Sequence, residues 1–478
     1  MNPSVATLIF VCGIAGLFYL DRDETVRTSK ALWLPVVYFW IIGSRSVSDW
    51  LNIRPSIETN VQLEGSPLDA AIFGVLLLAS IVVLTRRKKK TLTLLRANWP
   101  ILIYFFYCLI SAAWSHHPDV SLKRWIKATT DLTVALIIVT DTHPMVAFRR
   151  LITRVGFVLL PTSVLFIKYY GSLGRGYTPN GLIENVGVTT NKNVLGVELL
   201  VISLGALWQV INLVRDKKAV DRRRHLLAHG VLLAFGVVLL KMADSKTSVA
   251  CFMLGAGLIL VTNLRAFRGR AARVHAVCLI LVVVGAVAFS FSGTSDVASA
   301  LGRNSNLSGR TEIWALLIPT VPNPIIGAGF ESYWISPSVE QLWNSLSAAG
   351  WWHPEILVTE AHNGYIELYL NLGWVGIGLV AAILLSGYRR AIAAFRVNPS
   401  VGSLTLAYVI ASAVYSITEA GFRSPNPIWI FLLFAIICST GVTVGYVGEP
   451  LIRKRTGSSR ISSVANAQTK WALNPVDH

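Results

Sequence analysis

Four charged or titratable side chains stand at the edges of hydrophobic segments in surroundings that could support chemistry. Lys192 lies in Thr189-Thr190-Asn191-Lys192-Asn193, and Lys246 lies in Asp244-Ser245-Lys246-Thr247-Ser248. Arg310 opens Arg310-Thr311-Glu312-Ile313-Trp314, just after Ser308-Gly309. His362 sits in Glu360-Ala361-His362-Asn363-Gly364-Tyr365, where the next hydrophobic segment begins. Ionisable groups at a membrane edge are costly to keep and tend to be functional. Three cations and one imidazole gathered on one face suit an anionic ligand. Each residue also has a plain structural use. Lys192 could snorkel to headgroups, Lys246 could end a helix, Arg310 could pair with Glu312 or Glu331, and His362 could cap a helix.

The elements that must position these residues are membrane segments. The chain has 478 residues, 53% of them hydrophobic and only 14% charged, which indicates an all-α polytopic membrane protein. Apolar runs of spanning length fall near 3–20, 67–85, 98–115, 125–140, 151–169, 193–213, 226–243, 247–264, 274–292, 362–386, 402–419 and 427–446. A thirteenth, near 31–45, is short and must tilt, extend or be re-entrant. The expected layout is therefore 12–13 transmembrane helices: ten with short loops over 1–292, a large ordered external loop over 293–361 holding short helices, and three more over 362–446. A mobile cytoplasmic tail over 447–478 completes it. The loop's five tryptophans and scarcity of charge argue against disorder there. His353 and Glu355 read as part of its cap structure.

The net charge of +18 would suggest nucleic acid in a soluble chain. Here most of the 43 Lys and Arg fall in alternate loops, as topogenic charge does, so nucleic acid is excluded as a partner. That alternation puts the basic loops and the C-terminus in the cytoplasm and the 293–361 loop in the periplasm, in a bacterial inner membrane. The five cysteines lie far apart in apolar runs and read as small buried hydrophobes. His116 and His117 lack a third ligand nearby, and no motif implies a metal or cofactor. Walker, Rossmann, HExxH and Gly-x-Ser-x-Gly patterns are all absent.

A lipid-linked pyrophosphate fits these features: its charge needs cations, its isoprenoid a lipid-facing groove, its sugar a polar cap. Ser308-Gly309-Arg310…Trp314, Pro324…Gly327-Ala328-Gly329 and His362-Asn363-Gly364-Tyr365…Leu372-Gly373…Gly376 resemble the O-antigen ligase/Wzy-type polymerase superfamily. Asn191-Lys192-Asn193…Gly196 and Ser245-Lys246-Thr247 resemble its upstream blocks, so the likeness covers roughly 185–380. The Ser-Lys-Thr form looks most like the ExoQ-type exopolysaccharide polymerases, whereas ligases tend to carry arginine at the position of Lys246.

The resemblance implies a metal-independent, inverting glycosyl transfer from an undecaprenyl-diphosphate-linked glycan to a growing glycan or a lipid. It makes His362 the base, and Arg310 and Lys246 the clamps on the pyrophosphate. Lys192, Glu360, Asn363, Tyr365 and Arg423 are the expected substrate-binding residues. It also leaves room for a co-polymerase that regulates chain length. The rival within the superfamily is ligation to a lipid or protein acceptor. A lipid-linked polysaccharide exporter is the rival from another class, though no internal repeat is visible here.

Overall fold

Asparagine marks the start of four helices that build the protein's centre. Asn191, Asn363, Asn398 and Asn426 each occupy an N-cap in extended backbone and accept a hydrogen bond from the first turn. Pro399 and Pro427 follow directly, where a missing N–H leaves nothing unpaired.

The computed structural model describes residues 2–23, 26–53, 65–177, 181–267, 270–280, 310–348 and 359–447. Its helices are α1 (Pro3–Leu20), α2 (Trp33–Ile42), α3 (Pro67–Arg86), α4 (Lys88–Ala97), α5 (Trp99–Ser111), α6 (Pro118–Val139), α7 (Pro144–Tyr169) and α8 (Lys192–Arg215). They continue as α9 (Arg222–Ala243), α10 (Lys246–Asn263), α11 (Ala271–Ile280), α12 (Arg310–Leu317), α13 (Pro337–Ala348), α14 (Gly364–Val397), α15 (Pro399–Thr418) and α16 (Pro427–Thr443). One short antiparallel pair, β1 (Arg175–Tyr177) and β2 (Ile183–Asn185), interrupts this helical pattern. The protein is an all-α polytopic membrane protein, as its composition indicated.

Among the described residues, eight helices are long and apolar enough to cross a membrane. They number nine if α4 and α5, which meet at 87°, form one broken span. Five of the thirteen expected segments depart from simple spans. The 31–45 segment yields a ten-residue helix, α2, about 15 Å long. The 98–115 segment is one limb of the bent pair. The 125–140 segment starts earlier, at Pro118, and its N-terminal half carries Asp119, Lys123, Arg124 and Lys127. The 427–446 segment is the seventeen-residue α16. The 274–292 segment is seen only as far as Ile280, its remainder lying outside the described residues. Ser308-Gly309, Trp351, Trp352, His353, Glu355 and the tail from 448 lie outside them too.

The core is centred on α16, which is buried from Pro427 to Val442 and packs against α6, α14 and α15. Its central position explains why it can be short: it faces protein on all sides. By contrast, α1 and α3 expose most of their apolar surface, as helices facing lipid do.

A break in α14 shapes the end of the bundle next to residues 324–329. At Gly373 the backbone has φ 62 and ψ −162. A Cβ there would meet the Ile325 carbonyl carbon at 2.3 Å, so only glycine fits. Residues 324–329 take up the freed hydrogen bonds. Trp374 N–H donates to Pro324 O (2.9 Å), and Val375 N–H donates to Ile325 O (3.1 Å). In return Ala328 N–H donates to Leu370 O (3.1 Å) and Gly329 N–H to Asn371 O (2.8 Å). The Gly327-Ala328-Gly329 turn is thus spliced into the broken helix. Beside it Leu317, Val321, Tyr333, Trp334, Val339 and Leu370 form a small apolar core of their own. This core fixes residues 317–339 to α14.

Candidate active site

Four helix N-termini meet the C-terminal end of α15. Arg310 is the first residue of α12, and its Nη2 lies 3.1 Å from Glu419 Oε1 while Nη1 donates to Thr418 O. Asn193, in the first turn of α8, donates from Nδ2 to Glu419 Oε2 (3.3 Å). Thr247, in the first turn of α10, shares a hydrogen bond with Thr418 (2.8 Å). His362, just before the cap of α14, brings Nδ1 to 2.9 Å from Glu360 Oε1 and 3.4 Å from Glu419 Oε2. Helix N-termini carry partial positive charge, so this convergence favours anions.

The backbone at His362 is left-handed (φ 48), an uncommon state for a residue with a side chain. Its neighbour Ala361 is held from both sides. Ala361 N–H donates to Glu367 Oε1 (2.6 Å), and Ala361 O accepts from Trp314 Nε1 (2.8 Å). Trp334 Nε1 in turn bonds both Glu367 oxygens (3.2 and 3.0 Å). Trp314 and Trp334 therefore brace the backbone that carries the imidazole. Trp314 does so through the Ala361 carbonyl and Trp334 through Glu367, which sequence spacing had not singled out.

Burial alone would disfavour a charged imidazole, but hydrogen bonds to Glu360 and Glu419 outweigh it and raise His362 to about 9. The same contacts act on Glu360. Burial pushes it up, while the His362 hydrogen bond and the charges of His362, Arg423 and Arg310 hold it below its usual range. Arg423 donates to Glu331 Oε2 (3.0 Å) and to Thr359 O (3.1 Å). Burial opposes its charge, yet Glu331, Glu367 and Glu360 raise its pKa.

Lys246 lines a cavity of about 840 Å³ between α9, α10 and α15, together with Asp244, Thr247, Ile417 and Thr418. Apart from this polar end, its walls are mainly apolar side chains such as Leu240, Phe252 and Val414. Thr418 belongs both to this cavity and to the Arg310–Glu419 cluster. The cavity thus opens beside the charged groups.

Of the residues predicted from sequence, Arg310, His362 and Glu360 come together, with Lys246 on the adjoining cavity wall. Lys192 instead pairs with Glu184 of β2 (2.8 Å). Asn363 is occupied by the fold: its Oδ1 caps α14 and its Nδ2 donates to Ile417 O (2.9 Å). Tyr365 donates to Ala413 O (3.0 Å) and packs edge-on to Phe422. Glu419 was missed, although it is the hub.

Glu360, His362 and Glu419 also place three potential ligand atoms within 4.8 Å of one another, a grouping that sequence spacing did not suggest. Arg310 occupies one side of Glu419, and the imidazole faces both carboxylates. The cluster accordingly has the composition of an ion-pair network.

Residues 230–381 match the O-antigen ligase family model. The resemblance read from the sequence motifs is borne out. The matched stretch contains Lys246, Arg310, Glu360 and His362, while Lys192, Glu419 and Arg423 lie outside it. The chain is also 28% identical over 300 residues to the exopolysaccharide production protein ExoQ of Rhizobium meliloti (strain 1021). That similarity covers 61% of this chain and 64% of that protein's length.

Proposed function

We propose that this O-antigen ligase-like chain is a membrane glycosyltransferase that polymerises undecaprenyl-diphosphate-linked repeat units at the outer face of the inner membrane. The observation that carries this reading is the meeting of Arg310, His362 and four helix N-termini beside a mainly apolar cavity whose polar lining is Lys241, Asp244, Lys246, Thr247 and Thr418. An isoprenoid suits the apolar wall, and a diphosphate suits the cationic end.

In this mechanism the acceptor hydroxyl oxygen attacks the anomeric carbon from the face opposite the diphosphate. The bond from that carbon to the diphosphate oxygen breaks, and configuration inverts. His362 takes the hydroxyl proton. Arg310 and Lys246 stabilise the charge left on undecaprenyl diphosphate, so the reaction runs without a metal. Glu360 and Glu419 hold the imidazole and make it a stronger base. With a pKa of about 9, roughly one imidazole in a hundred is neutral at pH 7, so turnover should rise with pH. Lys192, Asn363, Tyr365 and Arg423 shape the rim around this centre.

The family description favours a second reading, in which a finished glycan is handed to a lipid or protein acceptor. The name of the Rhizobium relative favours polymerisation. Purified protein given defined lipid-linked repeat units separates the two. A ladder of lengthening glycans with release of undecaprenyl diphosphate supports polymerisation. Transfer only to an added lipid or protein acceptor supports ligation. Neither product would remove the glycosyltransferase reading.

A further inference from the structure

A second, separate pocket lies on the outer face, between the corner at Trp114 and the segment 322–338. It has a volume of about 360 Å³, and Trp114, His116, Asn323, Ala328, Ser336 and Ser338 line it. That size falls within the usual range for small-molecule sites, about 300–1,000 Å³. Two of its lining residues hold a buried polar atom without a hydrogen-bond partner, Trp114 Nε1 and Ser336 Oγ. Ser336 is only 5% exposed. Buried polar atoms are nearly always paired, so two orphans around one cavity point to a missing partner. Asn323, another lining residue, uses its Oδ1 on the N–H groups of Ile325 and Ile326 (2.9 and 3.4 Å), which fixes the side chain.

We propose that this pocket is a saccharide subsite, holding one sugar unit of the glycan at a distance from His362. The wall chemistry selects that class of ligand. Among the described residues no Asp, Glu, Lys or Arg lines the pocket, so a cation finds no counter-charge there and an anion meets only the imidazole of His116. An indole N–H only donates, whereas a serine hydroxyl both donates and accepts. A sugar ring offers hydroxyls to both and an apolar C–H face to the indole. The pocket is also prebuilt: Ala328 and Gly329 are pinned to α14 at 3.1 and 2.8 Å.

A chain of contacts joins this pocket to the charged cluster. Ser115, next to Trp114, bonds Ser332 (2.6 Å), and the adjacent Glu331 holds Arg423, which reaches Thr359 beside Glu360. The subsite rests on the glycosyl-transfer reading for its purpose, but its occupancy is testable alone.

The test uses full-length protein in nanodiscs and, as probe, the oligosaccharide freed by mild acid from the host's own lipid-linked repeat units. Binding is measured by calorimetry, and undecaprenyl diphosphate release from intact donor is measured in parallel. The double variant Trp114→Phe/Ser336→Ala keeps the ring packing and removes both orphan atoms. It should bind the oligosaccharide at least tenfold more weakly and make shorter polymer, with first-turnover release unchanged. Ser338→Trp, which fills the pocket from its rim, should do the same. Wild-type protein that fails to bind the probe overturns the subsite, as does unchanged binding in both variants. Absence of release from wild-type protein overturns the transferase reading instead, and the binding ratio still decides the pocket.

Discussion

The two ends of α9 carry clusters of similar composition and different character. At one end Arg310, His362, Glu360 and Glu419 gather beside the cavity that Asp244 and Lys246 help to line. Towards the other, roughly 21–27 Å away along the helix, His225, His229, Asp21, Asp23 and Arg149 gather. Both sets contain imidazole, carboxylate and guanidinium. His362 and Glu360 keep 35% and 37% of their side chains exposed, while His225, His229 and Asp21 keep 4%, 0% and 7%. In the buried set Asp21 Oδ1 receives His225 Nδ1 at 3.0 Å and lies 3.4 Å from His229 Nε2. Arg149 meets Asp23 at 2.7 Å. These contacts tie the end of α1 to α7 and α9. The same side chains therefore act as a clamp where the fold closes over them, and under the proposed function they form a site where helix ends leave an opening.

Breaking each cluster should give opposite signatures. Arg310→Ala removes a cation from the leaving group and leaves Glu419 uncompensated, and should lower turnover by about 10²–10³ at normal membrane abundance. Undecaprenyl diphosphate release at matched protein level checks this. Asp21→Ala should do the reverse. Removing Asp21 leaves the buried rings of His225 and His229 without their carboxylate acceptor, at a cost of about 1–3 kcal/mol, so abundance and thermal midpoint should fall while the folded fraction keeps its specific activity. Fluorescence-detected size exclusion after a heating series reads both quantities.

The pH dependence sharpens the comparison further. If His362 must be neutral to act, kcat/KM should climb through neutral pH and level off above about 9. Stability should move the other way. A raised pKa favours the folded state fully below the ordinary imidazole value near 6.5, and that contribution is lost as pH rises through about 9. A kcat/KM that falls across this window would assign the imidazolium, not the imidazole, to catalysis. Chelation is expected to have the smallest effect. Prolonged EDTA should leave turnover unchanged, because Arg310 and His362 already balance the carboxylates of the three-residue grouping. Loss restored by one divalent ion would make Glu360, His362 and Glu419 ligands.

Much of this was legible in the chain. The Asn-Pro pairs at Asn398 and Asn426 announce their helices, and the motifs around Lys246, Arg310 and His362 name the residues at or beside one opening. The hub was not legible. Glu419 follows Thr418 at the end of an unremarkable apolar run, 57 residues beyond His362, and only folding brings it to Arg310. Glu367 was hidden for a related reason, since an acid in the first turn of a helix usually serves that helix's own N-terminus. The simple picture of spans also failed where packing intervened. At Gly373, residues 324–329 replace part of the hydrogen-bond ladder of α14, a substitution that hydropathy does not reveal.

The most direct test of the division between the two ends is the turnover of His362→Ala on a defined undecaprenyl-diphosphate-linked repeat unit, at membrane abundance equal to wild type. The account predicts a loss of about 10²–10⁴ in turnover, the range for removal of a positioned proton acceptor. It also predicts little change in donor binding. Normal polymer from His362→Ala at normal abundance would contradict it.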